Sequence, residues 1–114
     1  MRNSVIAKAK DAMRNRARTG GVPVPSTPQE IHDLLCVYIK REILNGSGIP
    51  CHVDHIVPLG QGGTHTADNV RILTQHENLS RNHNPDIQCT PLDLETHEHH
   101  HKYQEALKKI SLTQ

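Results

Sequence analysis

The chain has no phenylalanine and no tryptophan, and only two tyrosines among 114 residues. A core without large rings must be aliphatic, and at this length there is room for one core of modest size. The shortage of aromatics also argues against a stacking platform for unpaired bases, which interleaves rings with cations. Cysteine is scarce as well: Cys36, Cys51 and Cys89 are too few and too scattered for a disulfide framework, so reduced thiols are expected. No apolar run approaches the roughly 20 residues of a membrane span, and the amino terminus lacks the apolar segment of a signal peptide. The expectation is a cytoplasmic protein without a membrane partner.

Charge of one sign is lacking overall, with a formal net charge of +1, yet its distribution is uneven. Arg2, Lys8, Lys10, Arg14, Arg16 and Arg18 stand against Asp11 alone at the amino-terminal end. A basic segment of this kind grips phosphates with an affinity that falls steeply with salt, which makes Arg14, Arg16 and Arg18 candidate nucleic-acid contacts. Its plain alternative is a solvated helix or a frayed terminus. Gly20-Gly21-Val22-Pro23-Val24-Pro25 breaks the helical pattern and reads as a linker. The expected organisation is a basic arm or helix with linker over residues 1–22 and a single domain over 23–114.

Within that domain, Thr27, Pro28 and Glu30 give N-cap, first-turn and capping-box signals. Ile31, Leu34, Leu35, Tyr38 and Ile39 then form an apolar stripe at helical spacing that ends near Asn45-Gly46 and is expected to be core. Near the other end, Thr90, Pro91 and Asp93 signal a helix start. Tyr103, Leu107 and Ile110 recur at helical spacing, predicting a helix over about 91–111. His97, His99, His100 and His101 invite a metal reading, with His97 and His101 one helical turn apart, but a hydrated helix face is the reading preferred here.

Most of the chemistry lies between Cys51 and Asn82, in CHVDHIVPLGQGGTHTADNVRILTQHENLSRN. The string reads as strand, glycine-rich turn, strand and short helix. It places the adjacent pair Asp54-His55 before the turn, Asn69 at the start of the second apolar run, and Asn78 in the helix. Phosphodiester hydrolysis needs a base that titrates near neutrality and a divalent ion to take up charge on the phosphorane and the leaving oxygen. Histidine meets the first need with an unperturbed pKa of about 6.5. A carboxylate and an amide carbonyl are hard donors that favour Mg²⁺ or Mn²⁺.

Geometry raises one difficulty, because neighbours on a regular strand point to opposite faces. Asp54 and His55 share a site only if the backbone is irregular there or the phosphate lies along the strand's edge. Thr74 and Glu77 form a capping-box signal for the helix, and Asn84-Pro85 ends it. Asn78, Arg81 and Asn82 then share one helix face, so Arg81 is positioned to hold a phosphate. His76, in the first turn, is either a substrate contact or a solvated histidine. Taken singly, Asp54 reads better as a turn or cap acid and His55 as a half-buried strand histidine; the joint pattern, in this order and spacing, favours the catalytic reading.

The string DHIVPL, followed by GG, DN and ENLSRN, resembles the HNH, or His-Me finger, endonucleases, and most closely the small freestanding enzymes of phages and prophages. The resemblance covers roughly residues 51–82 and rests on Asp54, His55, Ile56, Pro58, Gly62, Gly63, Asn69, Leu73 and Asn78. It implies an α+β fold, a ββα-metal finger flanked by helices from both ends of the chain, with strands near 51–57 and 70–73. It further implies that His55 is the general base, that Asn69 braces the loop holding it, and that Asp54 and Asn78 are ligands of one divalent cation, Mg²⁺ or Mn²⁺. The chain would be an H-N-N variant. Many relatives carry paired Cys-x-x-Cys zinc ligands around the motif; Thr74 and Glu77 stand at those positions, so no structural zinc is expected.

The expected activity is metal-dependent nicking of DNA with low sequence specificity, and contacts to the nucleic acid from Arg81, His76, Asn82, Arg14, Arg16 and Arg18. A double-strand break would need a homodimer or two events, and a phage packaging protein is a further expected partner. Two alternatives belong to other classes. One is a non-catalytic DNA-binding or packaging accessory on the same scaffold; the other is a zinc-stabilised module using Cys51, His52, His55 and Cys89.

Overall fold

The Thr27-Pro28-Gln29-Glu30 signal produces a helix start in the computed structural model, which describes residues 5–17, 27–83, 92 and 100–108. Thr27 is extended, its hydroxyl oxygen accepts from the Glu30 amide at 3.1 Å, and Pro28 opens the long helix α2, Pro28–Gly46. Leu34, Leu35, Tyr38, Ile39, Ile43 and Leu44 of this helix are buried. Ile31 departs from the expected stripe: it is 40% exposed, because the packed part of α2 begins one turn later, at Leu34. Against α2 lie α1, Val5–Ala17, and α4, His100–Leu107. The first supplies Ala9 to the core, with Ile6, Ala12 and Met13 packed beside it; the second supplies Tyr103 and Ala106.

The end of α2 sets the position of the sheet. Gly48 adopts a left-handed φ of 89°, and the Ile49 amide donates back to the Leu44 carbonyl at 2.9 Å. The Asn45 side chain then clasps the first strand residue, its Oδ1 accepting from the Cys51 amide at 3.0 Å and its Nδ2 donating to the Cys51 carbonyl at 3.2 Å. Strand β1, Cys51–His55, pairs antiparallel with β2, Val70–Thr74, in the register Cys51 with Thr74 through His55 with Val70. Helix α3, Gln75–His83, follows β2 directly. Thr74 caps it, accepting from the Glu77 amide at 3.1 Å. The Glu77 carboxylate in turn accepts from the Thr74 hydroxyl at 3.2 Å, so the two residues of the predicted capping pair meet at the helix start.

Among the described residues the chain is therefore α+β, with four helices and one two-stranded antiparallel sheet. β1 is shorter than the predicted 51–57. After His55, the Ile56 amide still bonds to the Asn69 carbonyl at 2.8 Å, but Pro58 has no amide to donate and the chain turns into a 3₁₀ turn at Leu59–Gln61. The predicted carboxy-terminal helix is described from His100 to Leu107; its start at Thr90, Pro91 and Asp93, and Ile110, lie outside the described residues. Leu92 adds one main-chain bond to the sheet, donating to the Ile72 carbonyl at 2.8 Å. No described helix is long and apolar enough to cross a membrane.

Cys51 begins β1 inside the core, 2% exposed, with its thiol directed at the Arg41 carbonyl, 3.6 Å away. Burial pushes this thiol up from 9.0 to about 11; nearby Arg41 pulls it down and Glu42 pushes it up, both more weakly. The folded state thus prefers the neutral thiol. That contribution to stability is complete below pH 9.0 and is lost as pH rises towards about 11. Urea midpoints at about pH 8 and about pH 10 should fall more for the native chain than for Cys51→Ala. Equal falls would show that Cys51 ionises without hindrance.

Candidate active site on the outer edge of the first strand

The ribbon register sorts the motif side chains by face. Cys51, Val53 and His55 alternate onto the side packed against α2, whereas His52 and Asp54 alternate onto the side packed against α3. Asp54 and His55 do point to opposite faces. They nevertheless line one cleft of about 290 Å³, together with Val53, Pro58, Gly60, Asn78 and Arg81. Three consecutive β1 residues in one wall mean that the cleft runs along the edge of β1 away from β2, where side chains of both faces are accessible.

Asp54 is 7% exposed and sits between two arginines. Its cross-strand neighbour Arg71 donates from Nε to Oδ2 at 3.1 Å, and Arg81 on α3 donates from Nη1 to Oδ1 at 3.0 Å. Arg81 also donates from Nη2 to the Ile56 carbonyl at 2.9 Å, which ties α3 to the chain leaving β1. Arg81 lines the cleft, as its predicted position on α3 requires, and is at the same time bonded to the candidate ligand Asp54 and to main chain.

On the other face, His55 is also 7% exposed. Its Nε2 lies 3.0 Å from Nδ1 of His65, which is wholly buried, and His65 Nε2 lies 3.0 Å from the Met13 carbonyl of α1. The Tyr38 ring meets His65 edge-on, with centroids 6.0 Å apart.

Asn69 organises the intervening loop. Its Oδ1 accepts from the Val57 amide at 2.9 Å, and its Nδ2 donates to the carbonyls of Val57 at 3.0 Å and Thr64 at 2.8 Å. The two ends of the loop are thereby held at one side chain immediately beyond His55. Gly63 closes the same turn, its amide donating to the Pro58 carbonyl at 3.0 Å.

Of the remaining sequence candidates, Asn78 lines the cleft, whereas His76 is exposed on α3 and is not in the cleft wall. Arg14 is exposed on α1. Arg16 and Asn82 have described backbone only, and Arg18 lies outside the described residues. A second hollow, of about 450 Å³, shares Val53 and Asn78 with the cleft and is bordered by Asn15, Arg41 and His52. His65 and Arg71 carry the interactions that the sequence reading did not anticipate. A third imidazole between the glycine pair and Asn69 was a signal for the first; the position opposite Asp54 becomes visible only once the register is known.

The donor set bears on the metal reading. Among the described residues no three His, Cys, Asp or Glu side chains converge on one point, so neither a zinc cluster at Cys51, His52 and His55 nor one on His100 and His101 is formed there. Cys89, His97 and His99 lie outside the described residues. What the cleft offers is one carboxylate and one amide oxygen, Asp54 and Asn78. Each Asp54 oxygen carries one guanidinium bond and has a second lone pair. A carboxylate and an amide oxygen are hard donors of the kind that Mg²⁺ or Mn²⁺ takes, while both Asp54 oxygens are already engaged by Arg71 and Arg81. Compared with family models, with curated proteins and with solved structures, the chain matches none of them significantly.

Proposed function

We propose that the protein is a DNA endonuclease of the HNH type, its β1, loop, β2 and α3 forming a ββα-metal finger that hydrolyses one strand at a time. The observation that carries this reading is the meeting of His55, Asp54 and Asn78 in one cleft on an accessible strand edge. A phosphodiester lying along that edge reaches side chains from both faces of the ribbon. His55 takes a proton from water as the new O–P bond forms; the P–O3′ bond breaks, and the leaving oxygen gains a proton from solvent. Products carry 5′-phosphate and 3′-hydroxyl ends. A divalent ion held by Asp54 and Asn78 would supply positive charge to the phosphate and the leaving oxygen.

The neighbouring hollow with Asn15, Arg41 and His52 extends the cleft towards α1 and gives the strand a polar path past the reaction centre. Exposed Lys8 and Arg14 lie on the helix it leads to. Among the described residues no array of side chains is recognisable as a reader of base edges, so low sequence specificity is the expectation.

A second reading rests on a specific observation. With both oxygens of Asp54 bonded to arginines, the finger is cross-braced by an Arg71–Asp54–Arg81 triad without any metal. That arrangement suits a non-catalytic DNA-binding or phage packaging accessory. Supercoiled plasmid separates the two. The nuclease yields nicked circles in Mg²⁺ or Mn²⁺ and none in EDTA, with linear product appearing only after nicks accumulate or if two subunits act together. Binding of the plasmid without cleavage in either metal would select the accessory.

A further inference from the structure

We propose that His65 is a positioning residue that determines which ring nitrogen of His55 holds the basic lone pair. The inference starts at the far end of the contact chain. A main-chain carbonyl can only accept a hydrogen bond, so the Met13 oxygen requires a proton on His65 Nε2, 3.0 Å away. In a neutral imidazole the other nitrogen is then an acceptor, which makes His65 Nδ1 a lone pair directed at His55 Nε2, also at 3.0 Å. His55 must therefore donate from Nε2, and its lone pair resides on Nδ1.

The geometry holds this assignment in place. His65 has no exposed surface, its ring is packed edge-on against Tyr38, and the His55 and His65 centroids are 5.3 Å apart. The acceptor that starts the chain belongs to the last turns of α1, which is docked through Ala9 and Met13 on α2. The amino-terminal helix thus takes part in the state of the candidate base, 42 residues further along the chain from Met13 to His55. For its consequence on catalysis this inference rests on the hydrolytic reading above; for the tautomer itself it does not.

The test uses the full chain labelled with ¹⁵N in histidine, at about pH 8.5 where unperturbed imidazoles are neutral. Two-bond ¹H–¹⁵N correlations should show His55 as the Nε2–H tautomer. His65→Asn, whose Oδ1 falls close to the place of Nδ1 and still accepts, should keep that tautomer. His65→Leu should release it to a mixture and lower kcat for nicking by roughly 10²-fold or more, with plasmid affinity unchanged. His55 found as Nδ1–H in the native chain, or a tautomer unaffected by a folded His65→Leu, overturns the assignment. Should His65→Leu not fold, the native spectrum and the Asn variant decide alone. The expected tautomer in a protein that never nicks supports the positioning role and overturns the hydrolytic reading instead.

Discussion

Replacing His55 by alanine is expected to lower Mg²⁺-dependent nicking by about 10² to 10⁴-fold, the usual contribution of a positioned general base. Among the described residues His55 is the histidine in the cleft wall, while His76 and His101 are exposed and His65 is turned inward to Met13. His52, the other imidazole of β1, borders the adjoining hollow with Asn15 and Arg41 and is not in the wall of this cleft. The substitution removes the hydrogen bond to His65 and leaves a small cavity, so its effect on folding is modest beside its effect on rate. The decisive comparison is kcat against affinity. Plasmid binding within about two-fold of the native chain, combined with the loss of turnover, identifies a proton-transfer role. A folded His55→Ala protein that nicks at the native rate would remove His55 from the reaction and, with it, the basis of the nuclease reading.

Gly63→Ala should be the most damaging small substitution in the loop, with an expected loss of about 3 kcal/mol of stability. A Cβ at this position would stand 1.9 Å from the Val57 carbonyl oxygen, 2.7 Å from its carbon and 2.9 Å from Asn69 Nδ2. None of these is the flexible end of a long side chain. Relieving the clash means moving main chain, which breaks the Asn69 bond to the Val57 carbonyl and the Gly63 bond to Pro58. The objection is to volume and not to torsion, since Gly63 does not have a positive φ. Gly60→Ala is the control: a Cβ there meets nothing within 4 Å and its φ is ordinary, so its urea midpoint should match the native chain. A Gly63→Ala midpoint equal to that of Gly60→Ala would mean that the loop is not closed on Val57 in solution.

The two predictions concern opposite ends of one device. Gly63 admits the Val57 carbonyl at close range, Asn69 holds that carbonyl and the Val57 amide together, and the segment so restrained begins two residues after His55. Tightness in the loop is therefore linked to the position of the side chain proposed to move the proton.

Much of this was legible in the amino-acid order because the forces involved act over a few residues. The Thr27 and Thr74 caps join groups three positions apart. The stripe from Leu34 to Leu44 follows from 3.6-residue periodicity and the need to bury apolar surface in a chain without phenylalanine or tryptophan. The pair of short strands, the glycine turn and the helix after them could be read from punctuation by Gly60, Gly62, Gly63 and Pro58. Ile31 shows the limit of that reasoning: periodicity places it in the stripe, but only the extent of the neighbouring helices determines where burial begins.

The partners of Asp54 and His55 were decided by tertiary structure alone. Arg81 is 27 residues from Asp54, and Met13 is 52 from His65. No local pattern specifies such separations. They depend on the register that puts Arg71 opposite Asp54, on α3 folding back over that face, and on α1 docking with its Met13 carbonyl towards the ribbon. The sequence by itself thus determined which chemical groups the chain brings to the region and the local elements that carry them. The packing of α1, α2 and α3 around the ribbon decided which of those groups are paired and which face the cleft, because hydrogen bonds and ion pairs between distant residues form only after burial has set the distances.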